Sequence, residues 1–542
     1  MKKLNKINFN LELNNKIYKY FYYFLLFYSL YCAIILGESW DEADHAIRGK
    51  ATFQYLLSFG KIKKEYFYDE FYSPSYWFFQ YFFSQLFNLK YQTEVNHVIN
   101  LIISISAIIG FYKLISVLFN KSLGKIIFLI LFFYPIFFGH MSINPKDTVI
   151  TFCNIWIFYL LIKYLKNQHN INKSNRYIYI ISILFAVGTG VQLLFIGTLI
   201  PVLFFLILEI FFLKKIVSNK FNYKLLLIHL LKIIFFIYLF LILFWPATHS
   251  NIFLLPFQFF LKSLSLARGW EWNLLSGDII QSKNASIFYF YINFFFKSPE
   301  FLLLNYIMFP FLFFYFFNFF KKEFPNFLYK ILFLFTFLFM PFFIIALSSF
   351  GAYDGIRLFL WCVPYFCIIP SLTIYFLLKN IKKIICKIFL YLNFLLILFY
   401  IFIFFSITPY HYTYLNSFNK FTSNKLSKFE GDYWNVSIKE LVKKIDFSKD
   451  EKFDLVTCGI NRDILKKYLS FYHKENLKKI NFVDFKDAKY VLMAERVVDD
   501  PGNDRKALSV DTCFNKYSGS NFATVTRSGR DISIIRNLKS NY

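Results

Sequence analysis

Long runs of apolar residues recur along the chain between Tyr20 and Ser406, and most are close to the length of a membrane span. A run of about 20 apolar residues lets a helix cross a lipid bilayer. We count 177–213 as two crossings because it is too long for one. The predicted spans are 18–36, 97–118, 125–139, 148–165, 177–193, 194–213, 225–245, 300–319, 328–348, 357–378 and 384–406. The pattern therefore predicts a polytopic α-helical membrane protein with about eleven transmembrane helices.

The basic residues indicate the orientation of these helices. Cytoplasmic connections are enriched in Lys and Arg, and with the N-terminus inside every short inside connection of this chain is basic. Examples are Lys121 and Lys125, Lys163 to Arg176, Lys214 to Lys224, Lys321 to Lys330 and Lys379 to Lys387. The C-terminus then lies outside. The external segments, above all 37–96 and 247–299, hold nearly all of the unusual polar clusters, which favours chemistry at the outer face of a plasma (inner) membrane.

The composition of the chain changes after Thr408. Residues 409–542 alternate short apolar runs with amphipathic ones, which is typical of a small α/β domain. The predicted strands are Phe453–Cys458, Tyr490–Met493 and Asp531–Ile535, and the predicted helices are Lys439–Ile445 and Arg462–Tyr472. We therefore expect a transmembrane domain over 1–408 and a soluble extracytoplasmic α/β domain over 409–542.

Composition supports the membrane assignment and narrows the function. Hydrophobic residues make up 57% of the chain, with 79 Phe and 40 Tyr, and the mean hydropathy is +0.46. The net charge of +27 comes with an excess of Phe, Tyr, Ile and Asn that is typical of an AT-rich genome, and the topology explains its Lys. We therefore predict no nucleic-acid partner. Gly188-Thr189-Gly190 lacks the strand and spacing of a nucleotide loop, and no GKS/T motif occurs.

The cysteines and the N-terminus bear on export. Five of the seven cysteines lie in or beside apolar segments, where we expect them to pack. Cys458 and Cys513 lie in the polar C-terminal region and can form one disulfide if that region is exported. The segment Met1–Lys19 is polar and basic, and the apolar run after it is long enough to remain as an anchor, so we expect no cleaved signal peptide.

The first polar cluster follows the first apolar run directly. Asp41, Asp44, His45 and Arg48 are spaced i, i+3, i+4 and i+7, which places them on one face of a helix. The pair Asp41-Glu42 puts negative charge at the water–lipid boundary. Either this is the solvated face of a juxtamembrane helix or the carboxylates do chemistry there.

Two further clusters lie between predicted helices. The sequence Gly139 to Asp147 contains His140, Lys146 and Asp147; a helix-capping role explains Asp147 but neither His140 nor Lys146. A later cluster contains Tyr353, Asp354 and Arg357. Its Asp-Gly pair fits a turn, and Arg357 either pairs with a phosphate or with Asp354, or snorkels at the interface.

The long external loop carries the fourth cluster: Trp245-Pro246, His249, Arg268-Gly269-Trp270-Glu271-Trp272 and Tyr289. Aromatic side chains with one acid and one base suit a sugar or lipid headgroup, and they equally suit an interfacial aromatic belt.

Taken together, these motifs resemble the membrane-embedded glycosyltransferases of the GT-C class, in particular the dolichyl-phosphate-mannose–protein mannosyltransferase and aminoarabinose transferase group and its bacterial relatives. The resemblance spans essentially the whole chain. It rests on Asp41-Glu42, FYSPSYWFFQ at 71–80, GHMSINPKD at 139–147, WP at 245–246, YDGIR at 353–357, TPYHYTYLN at 408–416 and EGDYW at 430–434. This chain has Leu358 and Thr408 where one bacterial subgroup is expected to have His, which leaves the role of the YDGIR cluster open.

The resemblance implies an inverting transfer of a sugar from a polyprenyl-phosphate donor to an acceptor hydroxyl on a glycan, lipid or protein. It implies Asp41 as the general base and Glu42 as a residue that positions the acceptor or the base. The cations proposed for the leaving phosphate are Lys146, Arg357, His249 and Arg268, and Asp147 would orient Lys146 or contact the sugar. The remaining substrate-binding candidates are His45, Arg48, His140, Tyr353 and Asp354. Some relatives bind a divalent metal near the acidic loop, and no feature of this sequence decides that point.

Three alternatives stay open at this point. A transporter or flippase predicts paired broken helices and charges at mid-membrane depth, which are few here. A non-catalytic assembly protein predicts that Asp41 and Asp147 are replaceable. A transferase that uses a lipid-linked oligosaccharide is a third.

Overall fold

The computed structural model describes residues 15–61, 71–265, 269–347, 351–421, 428–448, 452–498 and 510–538. Up to residue 406 it is almost entirely helical. The helices are α1 Asn15–Ile35, α2 Trp40–Leu57, α3 Ser75–Ser84, α4 Gln92–Leu118, α5 Lys121–Phe132, α6 Pro135–His140, α7 Asp147–Asn167, α8 Ile171–Val191, α9 Phe195–Thr198, α10 Ile200–Ile207, α11 Tyr223–Leu243, α12 Leu255–Ser265, α13 Tyr289–Phe296, α14 Glu300–Tyr315, α15 Phe317–Glu323, α16 Phe327–Leu347, α17 Val363–Phe366, α18 Ile368–Lys379 and α19 Ile384–Ser406. A hairpin of β1 Trp272–Leu275 and β2 Asp278–Gln281 interrupts them.

Several of these helices have the length and composition of membrane spans. Within the described residues, five helices qualify: α4 with the turn before it, α7, α11, α16 and α19. Two further apolar pairs are bent where they meet, α1 and α2 by 84° and α13 and α14 by 119°. The protein is thus a multi-pass helical membrane protein, and the count of about eleven crossings stays a prediction.

Proline explains why some predicted spans are not single helices. The apolar run 125–139 is divided between α5 and α6, because Pro135 begins a new helix and cannot donate to the preceding turn. The run 194–213 is likewise divided, with Pro201 in the first turn of α10 and a π-helical turn at Leu208–Leu213. Apolar content predicts burial in lipid, but it does not show where backbone hydrogen bonding is interrupted.

The C-terminal part, residues 428–448, 452–498 and 510–538, contains a mixed sheet. Its helices are α20 Ile438–Lys443, α21 Arg462–Tyr472 and α22 Cys513–Lys516, and its strands are β3 Phe453–Cys458, β4 Ile480–Phe482, β5 Tyr490–Ala494, β6 Val497–Val498, β7 Asp511–Thr512, β8 Ser520–Arg527 and β9 Arg530–Asn537. Five strands form one sheet in the order β4-β3-β5-β9-β8, parallel from β4 to β5 and antiparallel beyond. The predicted strands and helices are confirmed at these positions.

Two contacts tie this part together and to the helices. Cys458 at the end of β3 is disulfide-bonded to Cys513 at the start of α22. One buried apolar cluster joins side chains of α20, α21 and the sheet to Leu36 and Ile143, which lie beside α2 and α7. The sheet therefore packs directly against the ends of the helices that carry the first two polar clusters.

Candidate active site

The start of α2 is fixed by backbone hydrogen bonds to the C-terminal part. The N–H of Gly37 donates to the carbonyl of Val436 at 3.0 Å, and the N–H of Trp40 donates to the carbonyl of Trp434 at 3.0 Å. Backbone groups at a helix N-terminus have no partner within the helix, so partners from elsewhere fix the position of its first turn. Asp41 lies in that turn.

Asp41 of the first cluster, Asp147 of the second and Asp354 of the third all contact the guanidinium group of Arg357. Arg357 Nη1 lies 3.3 Å from Asp41 Oδ2 and 3.1 Å from Asp354 Oδ2, and its Nε lies 3.6 Å from Asp147 Oδ2. The side chain of Arg357 is 5% exposed, those of Asp147 and Asp354 are 6% and 1% exposed, and that of Asp41 is 31% exposed. Of these three carboxylates, Asp41 is the one that a substrate can reach.

The charge of Arg357 sets the protonation state of Asp41. Burial alone would raise the pKa of Asp41, but the guanidinium of Arg357 outweighs burial and holds this pKa below its usual value. The same carboxylates raise the pKa of Arg357 against the effect of its burial. Asp41 is therefore an ionised, partly accessible carboxylate, as a general base must be before the reaction.

The Asp-Gly turn predicted in the third cluster is present, and it positions Asp354. Asp354 has φ 54° and Gly355 has φ 67°, which is uncommon for a residue other than glycine. The N–H of Gly355 donates to the hydroxyl of Tyr289 at 3.0 Å, so the fourth cluster supports this turn. A buried aspartate in a strained backbone conformation is a feature typical of functional sites.

Lys146 and Arg48 both contact Tyr72. Lys146 Nζ donates to the Tyr72 hydroxyl at 3.2 Å, and the guanidinium of Arg48 lies 4.8 Å from the centre of the Tyr72 ring. Burial would lower the pKa of Lys146, but Tyr72 and nearby acidic groups raise it above its usual value. Arg357 is shared by three carboxylates, whereas Lys146 donates to the hydroxyl of Tyr72. Lys146 therefore has the greater capacity to bind an anion.

His45 lies on the same face of α2 but packs against an indole. Its ring stacks on Trp77, with centroids 4.0 Å apart and an interplanar angle of 12°. Burial lowers the pKa of His45 to about 3, so its imidazole is neutral. Its Nδ1 is buried without a hydrogen-bond partner among the described residues. A neutral, stacked imidazole is suited to packing or to a neutral hydrogen bond rather than to holding a phosphate charge.

Glu42 points away from Asp41 and Arg357. It accepts a hydrogen bond from the N–H of Ser39 at 2.7 Å and lies 3.0 Å from Nε2 of His97. Adjacent residues of a helix project about 100° apart, which separates the two carboxylates. The contacts of Glu42 fix the start of α2 against α4, and its predicted role in positioning the acceptor or the base stays a prediction.

His140 is fully buried beneath the site. Its Nε2 lies 2.9 Å from the Tyr433 hydroxyl, and burial holds its pKa well below the usual value, so its ring is neutral. Asn144, between His140 and Lys146 in sequence, donates to Asp147 Oδ2 at 2.9 Å and accepts from the Asp147 N–H at 2.9 Å. Asn144 therefore orients the carboxylate of Asp147, a role that we did not assign from the sequence.

One of the predicted cations, His249, makes its contacts outside the cluster. His249 Nδ1 lies 3.0 Å from the Tyr55 hydroxyl and its Nε2 lies 2.8 Å from the carbonyl of Ile242. Tyr55 is near the end of α2, about 21 Å along the helix axis from Asp41 at 1.5 Å per residue. Arg268 lies outside the described residues.

Tyr353 connects the cluster to the long external loop. The guanidinium of Arg357 lies 5.3 Å from the centre of its ring. A Cβ atom on Gly269 would lie 2.1 Å from Tyr353 Cε1, so only glycine fits at this contact. The predicted role of Tyr353 in substrate binding stays a prediction.

Two side chains of the C-terminal part reach the cluster and were missed by sequence reasoning. The guanidinium of Arg357 lies 4.8 Å from the centre of a Trp434 ring, and Arg496 Nη2 lies 3.4 Å from Asp354 Oδ1. Trp434 belongs to the EGDYW motif and was therefore open to detection. Arg496 follows a short apolar strand, and no sequence signal distinguishes it.

The possible divalent metal does not fit this donor set. Within the described ranges, no three His, Cys, Asp or Glu side chains are grouped as a metal site requires. Asp41, Asp147 and Asp354 converge, but the guanidinium of Arg357 occupies the position between them. We therefore derive no step through a metal ion.

Comparison with known proteins gives a family match over part of the chain. Residues 73–240 match the family model described as dolichyl-phosphate-mannose-protein mannosyltransferase. No curated protein matches the chain. Among solved structures, ArnT from Cupriavidus metallidurans in the apo state matches at 10% identity and a TM-score of 0.45, covering 96% of this chain and 98% of that one. ArnT bound to undecaprenyl phosphate matches at 11% identity and 0.46, with the same coverage. Over residues 73–240, the family match confirms the resemblance predicted from the sequence.

Proposed function

We propose that this protein, a membrane glycosyltransferase of the GT-C class, transfers a sugar from a polyprenyl-phosphate donor to an acceptor hydroxyl with inversion. The observation that carries the proposal is the position of Asp41, a partly exposed carboxylate fixed by Arg357. The family match favours this enzyme over the transporter and the non-catalytic assembly protein.

Asp41 acts as the general base in this proposal. The acceptor oxygen attacks the anomeric carbon of the sugar while its proton passes to Asp41, and the bond from that carbon to the phosphate oxygen breaks with its electrons retained by the phosphate. Arg357 prevents Asp41 from rotating away, because Arg357 is itself held in place by two buried carboxylates, Asp147 and Asp354. Positioning of this kind supplies much of the rate gain of an enzyme.

Lys146 and Arg48 bind the leaving phosphate. A phosphate diester becomes a monoester in this step and gains negative charge, which cations in a water-poor site stabilise. The two cations contact the same phenol, that of Tyr72, and Lys146 directly precedes Asp147, which contacts Arg357. The base and the phosphate site are thereby connected through Lys146, Asp147 and Arg357.

The proposal also assigns the site to one side of the membrane. Asp41 lies in the first turn of α2, which meets α1 at a bend of 84°. A phosphate on a membrane-embedded lipid lies at headgroup depth. We place this site on the extracytoplasmic side of the inner membrane, because the basic connections assign the opposite side to the cytoplasm. The donor class is a lipid-phosphate sugar, which the family match over residues 73–240 supports.

The test compares Asp41→Asn with wild type in nanodiscs, using a panel of polyprenyl-phosphate sugars and candidate acceptors. Release of polyprenyl phosphate and donor binding are both measured. We expect D41N to lose turnover and keep donor affinity, since the change removes the base and preserves the shape of the side chain. Asp487→Asn, the same change at an exposed position of the C-terminal part, is the matched control. Equal turnover in D41N and wild type would refute the assignment.

A further inference from the structure

The C-terminal part is bound to the segment before Asp41 by more than backbone contacts. Lys467 Nζ donates to Glu38 Oε2 at 2.7 Å, and Lys439 Nζ donates to Glu94 Oε1 at 2.8 Å. Lys439 is 5% exposed on its side chain, so its ion pair is largely desolvated. Partly buried pairs of this kind fix relative position even where they add little stability. The C-terminal part is therefore held in one register on α2 and α4.

Arg496 extends from this part into the carboxylate cluster. Its guanidinium lies 3.7 Å from the centre of a Trp270 ring, donates from Nη1 to the carbonyl of Tyr433 at 2.5 Å, and contacts Asp354 through Nη2 at 3.4 Å. Trp270 in turn donates from Nε1 to the carbonyl of Val497 at 3.0 Å. A planar guanidinium meets a ring face, a carbonyl and a carboxylate together, which a lysine cannot do.

Asp354 is thus shared by two arginines, one from each part of the protein. Arg357 reaches it at 3.1 Å and Arg496 at 3.4 Å, while Trp434 covers the guanidinium of Arg357 from the C-terminal side. Removing Arg496 would leave Arg357 as the ion-pair partner of Asp354 among the described residues and draw it further from Asp41. The orientation of the base therefore depends on a residue that lies far from it in sequence.

We propose that Arg496, supported by Trp434, is a positioning residue of the active site, through which the C-terminal part holds the Asp354–Arg357 pair and so fixes Asp41. This inference rests on the proposed function. It assigns the C-terminal part a role in catalysis in addition to any choice of acceptor.

The test is the pH profile of kcat for the full-length protein in nanodiscs, with Arg496→Gln and Arg496→Lys. The groups that face Asp41 are Arg357, Arg496, Lys146, His45, Asp147 and Tyr353. Loss of the Arg496 charge in R496Q should lower kcat about tenfold or more and move the acid limb upward by on the order of half a pH unit. R496K keeps the charge, so it should restore the acid limb but not the full kcat.

Arg530→Gln is the matched control. Arg530 lies in the same part and pairs with Glu495 at 2.7 Å, so its loss should lower thermal stability without moving the acid limb. Wild-type kcat and an unchanged profile in R496Q would overturn the proposal, as would an equal loss of kcat in R496Q and R530Q with no shift. If R496Q does not fold, a wild-type kcat in R496K would overturn it. These results are distinguishable from failure of the proposed function, in which D41N itself keeps turnover.

Discussion

Replacing Arg357 with Lys tests whether this cation holds the base or binds the phosphate. Arg357 contacts three carboxylates from three separate segments through Nη1 and Nε. A lysine keeps the charge but ends in one nitrogen, which cannot stay within ion-pair distance of all three. A hydrogen bond to a charged group contributes about 1.5–3 kcal/mol, and leaving one such contact unmade costs a similar amount.

Asp41 is the most accessible of the three carboxylates, so water can replace its contact with the cation. We therefore expect Asp41 to be the carboxylate that the lysine no longer contacts. At about 1.4 kcal/mol per factor of ten, the loss of orientation corresponds to a fall in kcat of about 10- to 100-fold. Asp147 and Asp354 are buried, so water cannot replace the cation there, and both should keep their ion pair with the lysine. The affinity for the donor should stay close to that of wild type.

The assay is steady-state release of polyprenyl phosphate together with direct donor binding for Arg357→Lys. Arg462→Lys, the same change at an exposed arginine of α21, controls for the substitution itself. Wild-type kcat in R357K would refute the positioning role. A weaker donor affinity with unchanged kcat would show instead that Arg357 binds the phosphate, which is the role that the sequence resemblance implied.

Two further predictions concern single side chains. Lys146→Gln should weaken donor binding by about tenfold or more, because it removes a charge from the phosphate site; binding of unsubstituted polyprenyl phosphate measures this, and an unchanged affinity would contradict the assignment. Burial raises the pKa of Glu430 from 4.5 to about 8, so its stabilising contribution is complete below its unfolded pKa and is lost as the pH rises toward 8. Glu430→Gln should therefore lose less thermal stability than wild type between about pH 5 and pH 8.5, as melting curves at the two pH values will show; parallel losses would argue against a neutral carboxyl group.

Local patterns predicted much of the fold. The α/β elements of the C-terminal part were predicted because an amphipathic helix such as α21 shows the helical repeat of its apolar positions directly in the sequence. The spans were harder, because hydropathy reports contact with lipid and not continuity of the helix. The run 125–139 has the required apolar content, yet Pro135 divides it.

The sequence indicated which segments form the site better than it indicated the role of each residue. Helical spacing predicted one face of α2 that carries Asp41, Asp44, His45 and Arg48. It did not indicate that Asp41, His45 and Arg48 meet Arg357, Trp77 and Tyr72, respectively. Those contacts depend on how distant segments pack, which periodicity does not encode. Arg496 shows the limit most clearly, since it meets Asp354 across 142 residues and its neighbours in sequence form an ordinary buried strand.

The arrangement around Arg357 also explains how the charge of the site stays balanced during transfer. When Asp41 accepts the acceptor proton it loses one negative charge, and the phosphate, on becoming a monoester, gains one. Negative charge therefore moves from the Asp41 side of the cluster to the side of Lys146 and Arg48, and the total is unchanged. Arg357 loses one of its three partners in this step but keeps Asp147 and Asp354, both buried. Because those two carboxylates keep it in place, it can stabilise ionised Asp41 before the next turnover without binding the phosphate itself. A site with only Asp41 beside the arginine would free that cation to follow the phosphate, so the two buried aspartates keep base and leaving group apart.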